Sequence, residues 1–281
     1  MEIQLTLPEW DQLAALDDDQ VPLLPALLLI ARDEYPDLDP KHCDALVRAH
    51  VDHLRVEVNS IPERPMKMAA INHHLFGELG YGANHKEYYD PRNSYLNQVL
   101  ERRLGNPVSL AAVQMEVARR LGLPLDGVSF PGHFLVRLSV DDGILVMDPF
   151  NGGRPLVAEE LRARAQSHLG GEPPDDEALM RLLSPASHRA ILVRVLRNLH
   201  GAYAESGQWD RAARSADRIL KLFPGQPDAL RERGLAYLQL GHQQGAREDL
   251  SRYLSLAPDA VDAAELREKL VEANAGPTRP H

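Results

Sequence analysis

Two adjoining stretches of sequence, SLAAVQMEVARRLG (Ser109–Gly122) and GVSFPGHFLVRLSV (Gly127–Val140), carry two different hydrophobic periodicities. In the first stretch the apolar residues recur at intervals of three and four, which predicts a helix with one apolar face. Gly122 suits the C-terminal end of that helix. In the second stretch successive side chains alternate, so that His133 and Phe134 fall on opposite sides of a predicted strand. The chain therefore changes from helix to sheet at this point.

The predicted sheet continues downstream, and helices are predicted upstream. The turn Asp141-Asp142-Gly143 reverses the chain, and GILVMDPFNGG (Gly143–Gly153) follows as a second strand. Upstream, the apolar spacing predicts helices in Ala45–Val58, Met66–Gly80 and Pro91–Arg103, and a buried helix in the apolar run Val21–Ala31. The predicted fold class is therefore α+β, with a small antiparallel sheet.

A period of 34 residues occupies the C-terminal third of the chain. When residues 193–226 are placed over 227–260, ten positions are identical, including Gly207 with Gly241 at a predicted turn between two helices. This period is the signature length of the tetratricopeptide repeat, a helix hairpin. We therefore predict an all-α repeat pair, closed by a capping helix at Ala264–Ala275 and followed by a frayed tail, GPTRPH.

Ser109, His133 and Asp148 lie where a catalytic triad would need them. Ser109 opens the predicted helix, His133 lies on the first predicted strand, and Asp148 ends the second. The positive end of the helix dipole favours an anion, which suits a nucleophile at that place. A histidine on a neighbouring strand would take the proton, and a carboxylate would fix the tautomer of its ring. The three residues are therefore a candidate triad.

Three motifs extend this pattern to a known family. DPRNSYLNQVLERRLGNPVSL (Asp90–Leu110), PGHFLVRL (Pro131–Leu138) and MDPFNGG (Met147–Gly153), followed by the repeats, resemble the bacterial SirB-one-type proteins, a transglutaminase-like family. The resemblance implies a helical N-terminal segment and a transglutaminase-like (papain-like) core in residues 1–192, then the repeats with their capping helix in residues 193–281. It also implies that serine, in place of the nucleophilic cysteine of related enzymes, is common in this group.

Serine at this position limits the chemistry that the cleft can perform. A helix N-terminus contributes at most about 2 kcal/mol, which lowers a pKa by about 1.5 units and leaves a hydroxyl protonated. Ser109 would need His133 to remove its proton and an oxyanion hole, for which its own amide, Asn97 and Asn106 are candidate donors. The alternatives are an N-cap role for Ser109 and a purely structural pair of His133 and Asp148.

Further polar residues lie near the candidate triad in the sequence. Asn93, Asn97 and Asn106 are candidates for lining the cleft, although cap or turn hydrogen bonds explain them equally well. His73, His74 and His85 suggest a metal site, but the adjacent His73 and His74 point to different faces of a helix, so one site cannot easily use both. We therefore predict no metal and no cofactor.

Composition and charge exclude several classes of function. The 281 residues include 41 acidic and 31 basic side chains, for a net charge of -10, which disfavours nucleic-acid or anionic-membrane partners. No apolar run approaches the roughly 20 residues that a membrane span needs. The only cysteine, Cys43, lies far from the candidate triad and forms no intrachain disulfide, which is typical of a reducing compartment. We expect a cytoplasmic protein.

Two hypotheses of different classes follow from the sequence. The favoured one is a non-catalytic interaction or regulatory protein, in which the repeats offer a groove to a protein or peptide partner and the transglutaminase-like cleft is degenerate. The alternative is a serine-dependent amide or ester hydrolase, or acyl transferase, that uses Ser109, His133 and Asp148. A serine-directed probe distinguishes the two hypotheses.

Overall fold

The computed structural model describes residues 6–275. Within that range the helices are α1 (Trp10–Ala15), α2 (Leu23–Arg32), α3 (Pro40–Ser60), α4 (Arg64–Asn72), α5 (Leu96–Arg102), α6 (Pro107–Arg120), α7 (Ala158–Leu169), α8 (Asp176–Leu182), α9 (His188–Glu205), α10 (Trp209–Leu222), α11 (Pro227–Gln239), α12 (Gln243–Leu256) and α13 (Ala263–Ala275). The strands are β1 (Gly82–Ala83), β2 (Leu104–Gly105), β3 (Asp126–Val128), β4 (Leu135–Val140), β5 (Gly143–Asp148) and β6 (Arg154–Leu156). The predicted α+β class is confirmed. The expectation for the tail Gly276–His281 lies outside the described residues.

The chain forms two compact units. One is built around Leu16–Val195, and the other combines Trp10–Ala15 with the chain from Leu196 onward. In the second unit, Lys221 pairs with Asp11 at 2.7 Å, and the Arg218 guanidinium lies 4.8 Å from the centre of the Trp10 ring. The sequence did not indicate that α1 belongs to this unit, because its partners lie some two hundred positions further along the chain.

The sheet of the first unit contains β3, β4, β5 and β6, in that order and all antiparallel. The turn between β4 and β5 brings Val140 opposite Gly143, as the sequence predicts. The continuous strand predicted over Gly127–Val140 is wrong, because β3 ends at Val128 and β4 starts at Leu135. Pro131 has no N–H for a strand ladder and Gly132 has a φ of +67°, so the chain turns there. His133 therefore lies in the turn before β4 and not on a strand.

Both faces of this sheet are buried. On one face, Leu135 and Val146 belong to a core cluster with Leu161 of α7 and Leu179 of α8. Val136 of β4 points to the opposite face by strand alternation and is also fully buried. Helix α6 contacts β4 and β3, so it covers part of the sheet. The sheet, whose strand β5 ends at Asp148, thus lies between helices.

The helical part of the first unit largely follows the predictions. The apolar run Val21–Ala31 forms the buried helix α2, and Ala45–Val58 lies inside α3. The predicted helix Met66–Gly80 changes character in its second half: α4 continues as a π-helical turn at His73–Glu78. Among the described residues, no helix is long and apolar enough to cross a membrane.

The second unit contains the predicted helix hairpins, α9–α10 and α11–α12, followed by α13 at the position of the predicted capping helix. An ion pair joins the first helix of each hairpin to the segment that follows that hairpin. Arg197 lies 3.1 Å from Asp228, and Arg231 pairs with Asp262. Both arginines and both aspartates are 34 residues apart, so the same contact is made twice.

Candidate functional site

His133 and Asp148 form the hydrogen-bonded pair that the sequence predicts. Asp148 is the last residue of β5, and the turn before β4 places His133 beside it. Nε2 of His133 lies 2.8 Å from Oδ1 of Asp148. The carboxyl group is fully buried, whereas the imidazole is 18% exposed. The pair therefore connects the interior of the protein to its surface.

Asp148 accepts hydrogen bonds from several donors. The Phe150 amide reaches Oδ1 at 3.1 Å, the Asn151 amide reaches Oδ2 at 2.6 Å, and Arg164 reaches Oδ2 at 2.9 Å. Burial raises the pKa of Asp148, but the hydrogen bonds from His133, Asn151 and Arg164 outweigh it and hold this pKa well below its usual value. Asp148 is therefore a carboxylate at neutral pH, and the Nε2 atom of His133 donates to it.

This arrangement fixes which nitrogen of His133 could accept a proton. Since Nε2 donates to the carboxylate, Nδ1 of the neutral ring carries the lone pair. The ring packs edge-on against Phe150, with centroids 5.8 Å apart. Phe150 also contacts the rings of His85 at 5.4 Å and Tyr88 at 6.1 Å. The histidine thus lies in an aromatic patch at a partly open surface, since about half of Tyr88 is exposed.

The N-terminus of α6 is built differently from the sequence expectation. Asn106 is the N-cap and Pro107 is the first helical residue, so that Ser109 is the third residue of the helix and not its cap. The Asn106 side chain accepts from the Ser109 amide at 3.0 Å, and Ser109 Oγ accepts from the Asn106 amide at 3.0 Å. This reciprocal pair is a capping box. It gives the Ser109 amide a partner and adds a second acceptor for the Asn106 amide, which also donates to the Asn93 carbonyl oxygen at 3.2 Å.

The Ser109 hydroxyl is enclosed. The residue is 2% exposed, and its Oγ donates to the carbonyl oxygen of Asn93 at 2.6 Å. A Cβ at Gly105 would lie only 2.6 Å from the same Oγ, so the backbone of β2 also approaches it closely. A serine hydroxyl has one proton, and here that proton is used in a short bond to backbone. In the described part of the chain, no hydrogen bond joins Ser109 to His133.

The three candidate asparagines are all buried, and two of them have structural partners. Asn93 donates to the carbonyl oxygens of Glu87 and Tyr88, and it accepts from Asn84 at 3.1 Å. Asn106 caps α6 and donates to Ser94 Oγ at 2.8 Å. Asn97 differs, because its Oδ1 is buried without a hydrogen-bond partner among the described residues. These hydrogen bonds give Asn93 and Asn106 a structural role, which is to hold the start of α6.

Two residues of the site escaped the sequence analysis. Asn151 lies three positions after Asp148 in the MDPFNGG motif, and the 3-10 turn that Asp148 caps there could have suggested the contact. Arg164 lies on α7, 16 residues further along, and no local pattern indicated it.

One group of side chains in the described residues has donor atoms close enough to hold a metal, namely His53, His74 and Glu78. It does not include the His133–Asp148 pair.

Comparison with known proteins defines the class of this chain. Residues 42–197 match the family model of the transglutaminase-like superfamily, and residues 199–270 match that of the tetratricopeptide repeat. The first match includes Ser109, His133 and Asp148. The protein is therefore a transglutaminase-like domain followed by tetratricopeptide repeats.

Full-length relatives give the family. A UPF0162 protein of Xylella fastidiosa (strain 9a5c) is 68% identical over 269 residues, which cover 96% of each chain. A UPF0162 protein of Pseudomonas aeruginosa is 36% identical over 89% of this chain and 90% of the relative. The UPF0162 protein YchA of Escherichia coli (strain K12) is 30% identical over 88% of this chain and 91% of the relative. The chain belongs to the UPF0162 family.

Proposed function

We propose that this chain is a non-catalytic interaction or regulatory protein, with a degenerate transglutaminase-like cleft and a repeat face that binds a peptide or protein. The observation that carries the proposal is the enclosed hydroxyl of Ser109, which donates to the Asn93 carbonyl oxygen at 2.6 Å. To act as a nucleophile, Ser109 would have to break this bond and turn away from its capping box. Nδ1 of His133, the proton acceptor, would also have to reach the Ser109 hydroxyl.

The repeat face between α9 and α11 supports the binding half of the proposal. Glu232 lies near Arg197 and His200 of α9, and burial raises its pKa. Its Oε2 atom is buried without a hydrogen-bond partner in the described residues, and the same holds for Nε of Arg197. Buried polar atoms are normally paired, so a small movement of these two side chains would present an unused acceptor and an unused donor on this face. A peptide backbone supplies both complements.

Substitution on this face tests the binding hypothesis. Asn198 is half-buried on α9, at the position equivalent to Glu232 in the next repeat. Asn198→Glu adds a second acid to the face between α9 and α11 and should reduce the capture of a partner from a bacterial lysate by about tenfold or more. Gln244→Glu, the same change at an exposed position on α12, is the matched control. Equal capture by the two variants would exclude this face as the binding surface.

The alternative function is a serine-dependent hydrolase or acyl transferase, and one observation favours it. The His133–Asp148 pair has the buried carboxylate and the partly exposed imidazole that a general base needs. If the alternative holds, a fluorophosphonate probe labels Ser109 in the folded protein, and His133→Ala abolishes the labelling. If the main proposal holds, the folded protein stays unlabelled under conditions that label a serine hydrolase.

We further propose that the chain is of the bacterial SirB-one type, that residues 1–192 and 193–281 are its domains, and that it acts in the cytoplasm. The three motifs in order support the type, and the single cysteine supports a reducing compartment. The net charge of -10 supports a partner that is neither nucleic acid nor membrane. Fractionation of cells that produce the tagged protein tests the location.

A further inference from the structure

Four histidines and one glutamate meet where α3 packs beside the π-helical turn. His50 and His53 lie one turn apart on α3, and His73, His74 and Glu78 lie on the π-helical turn. The rings of His53 and His74 are stacked, with centroids 4.5 Å apart. Two separate elements therefore bring imidazoles to one place in the first unit.

The π-helical turn explains how adjacent histidines reach the same carboxylate. Nδ1 of His74 lies 2.8 Å from Oε2 of Glu78, and Nε2 of His73 lies 3.6 Å from Oε1. In a π-helix the chain closes on the fifth residue, as shown by the Leu79 amide, which donates to the His74 carbonyl oxygen at 3.0 Å. Glu78 therefore lies above both preceding histidines. His73 is nevertheless not a member of the group of close ligand atoms, so the expectation that one metal site does not use both adjacent histidines stands.

From this arrangement we propose that His53, His74 and Glu78 form a binding site for a zinc ion. Each offers one ligand atom, and these atoms all lie within 4.8 Å of one another. Two imidazoles and one carboxylate are a donor set that zinc takes in proteins, with a fourth position left for water or another ligand. The site is separate from the cleft and does not depend on the proposed function.

The geometry requires only small movements of exposed side chains. With zinc–ligand distances of about 2.0–2.1 Å, ligand atoms of a tetrahedral site lie roughly 3.3 Å apart. The side chains of His53 and Glu78 are 63% and 48% exposed, so both can rotate toward a metal. His74 is 6% exposed and held by its surroundings. His74 is therefore the fixed ligand, toward which His53 and Glu78 would move.

Two further observations separate this cluster from an ordinary surface ion pair. His74 is buried and its Nδ1 lies 2.8 Å from Oε2 of Glu78, whereas both partners of an ordinary surface ion pair are exposed. The helix distortion itself lies at this cluster, as π-helical turns often lie at functional sites.

Calorimetric titration of the full chain with zinc chloride, in a buffer that does not coordinate zinc, tests the site. We expect saturable binding of one ion per chain. His53→Ala and Glu78→Gln should each weaken it by at least about tenfold, because loss of a ligand costs no less than loss of a group that supports one. His42→Ala is the matched control, since His42 is another exposed histidine on α3 that faces a carboxylate, Glu101, at 3.9 Å.

The outcomes are distinct. No saturable zinc binding by the parent chain overturns the proposal, as does equal weakening by His42→Ala and by the two site variants. Circular dichroism of each variant shows that it is folded, and the exposed positions of His53 and Glu78 make this the expected result. As a second measurement, cobalt(II) should give the visible absorption of a tetrahedral ion in the parent chain, and Glu78→Gln should lose it.

Discussion

The two parts of the candidate triad have opposite environments. At the start of α6, Ser109 is buried, and its hydroxyl both donates to and accepts from backbone groups. At the end of β5, Asp148 is buried but directs a partly exposed histidine outward. Ser109 uses its hydroxyl to hold the backbone. His133 uses Nε2 to hold Asp148, which leaves Nδ1 for another contact.

This difference shows what a motif in the sequence does and does not establish. A serine, a histidine and an aspartate in the right order indicate a cleft, but the groups around each one decide its chemistry. Asn106 and the close backbone at Gly105 commit the hydroxyl to a capping box. The following substitutions test whether the contrast is as sharp as the contacts indicate.

Removing Asp148 should have the largest effect. Asp148→Ala leaves Arg164, Asn151 and His133 without their shared acceptor, and loss of one side of a buried charged pair costs about 3 kcal/mol or more. Urea unfolding measures the loss of stability. Asp141→Ala, in the exposed turn between β4 and β5, is the control and should change the free energy of unfolding by less than about 0.5 kcal/mol. A loss for Asp148→Ala as small as that of the control would mean that the hydrogen bonds of Asp148 contribute little.

The same carboxylate predicts a pH dependence. The pKa of Asp148 is lower in the folded state than the usual value of about 3.9, so the unfolded state binds more protons in the interval between the two values. The stabilisation is complete above that usual value and is lost as the pH falls below it. The difference in stability between the parent and Asp148→Asn should therefore shrink on acidification from pH 5. A constant difference would contradict the lowered pKa.

Gly105→Ala should have the next largest effect. The new Cβ would lie 2.6 Å from Ser109 Oγ and 3.1 Å from Leu110 Cγ, and overpacking of this kind costs about 1–3 kcal/mol. Combining it with Ser109→Ala removes one of the clashing atoms, so the two losses should be less than additive in thermal unfolding. Strict additivity would show that Gly105 and Ser109 do not crowd one another.

Ser109→Ala alone should cost about 1–2 kcal/mol, because it breaks the capping box and removes the hydroxyl that bonds both to the Asn106 amide and to the Asn93 carbonyl oxygen. These two backbone groups keep their 3.2 Å hydrogen bond to each other. Denaturant unfolding measures this loss. The proposed partner binding should stay unchanged, since the repeats are not touched. An unaffected stability would indicate that the hydroxyl is free, which is what a nucleophile requires.

His133→Ala should have the smallest effect, about 1 kcal/mol. Asp148 keeps its bonds to Phe150, Asn151 and Arg164, and the histidine is partly exposed, so its removal leaves little unpaired. The same unfolding measurement applies. A loss equal to that of Asp148→Ala would mean that the imidazole is an integral part of the core.

Much of the fold follows from periodicity. Alternation placed the two central strands and their turn at Asp141-Asp142, and the 34-residue period placed both helix hairpins. The strand was extended too far because alternation continues through Pro131 and Gly132, where backbone properties and not side chains stop the ladder. The π-helical turn was missed for a similar reason, since its apolar spacing resembles that of an α-helix.

The site was predicted in part. His133 and Asp148 form the predicted pair because the turn before β4 and the end of the neighbouring strand β5 lie side by side. Arg164 was missed because nothing in its local sequence shows that α7 passes beside the end of β5. The capping box of Ser109 was missed because Asn106 and Ser109 are both residue types that cap helices, and only the backbone path shows that Asn106 is the cap. Long-range packing and exact helix ends are what the pattern alone leaves undetermined.

The two ion pairs Arg197–Asp228 and Arg231–Asp262 make each repeat compatible with a further copy of itself. The segment 227–260 contains Asp228, which receives the preceding arginine, and Arg231, which reaches forward to the following aspartate. An in-frame duplication of these 34 residues would therefore keep this ion pair at each new junction.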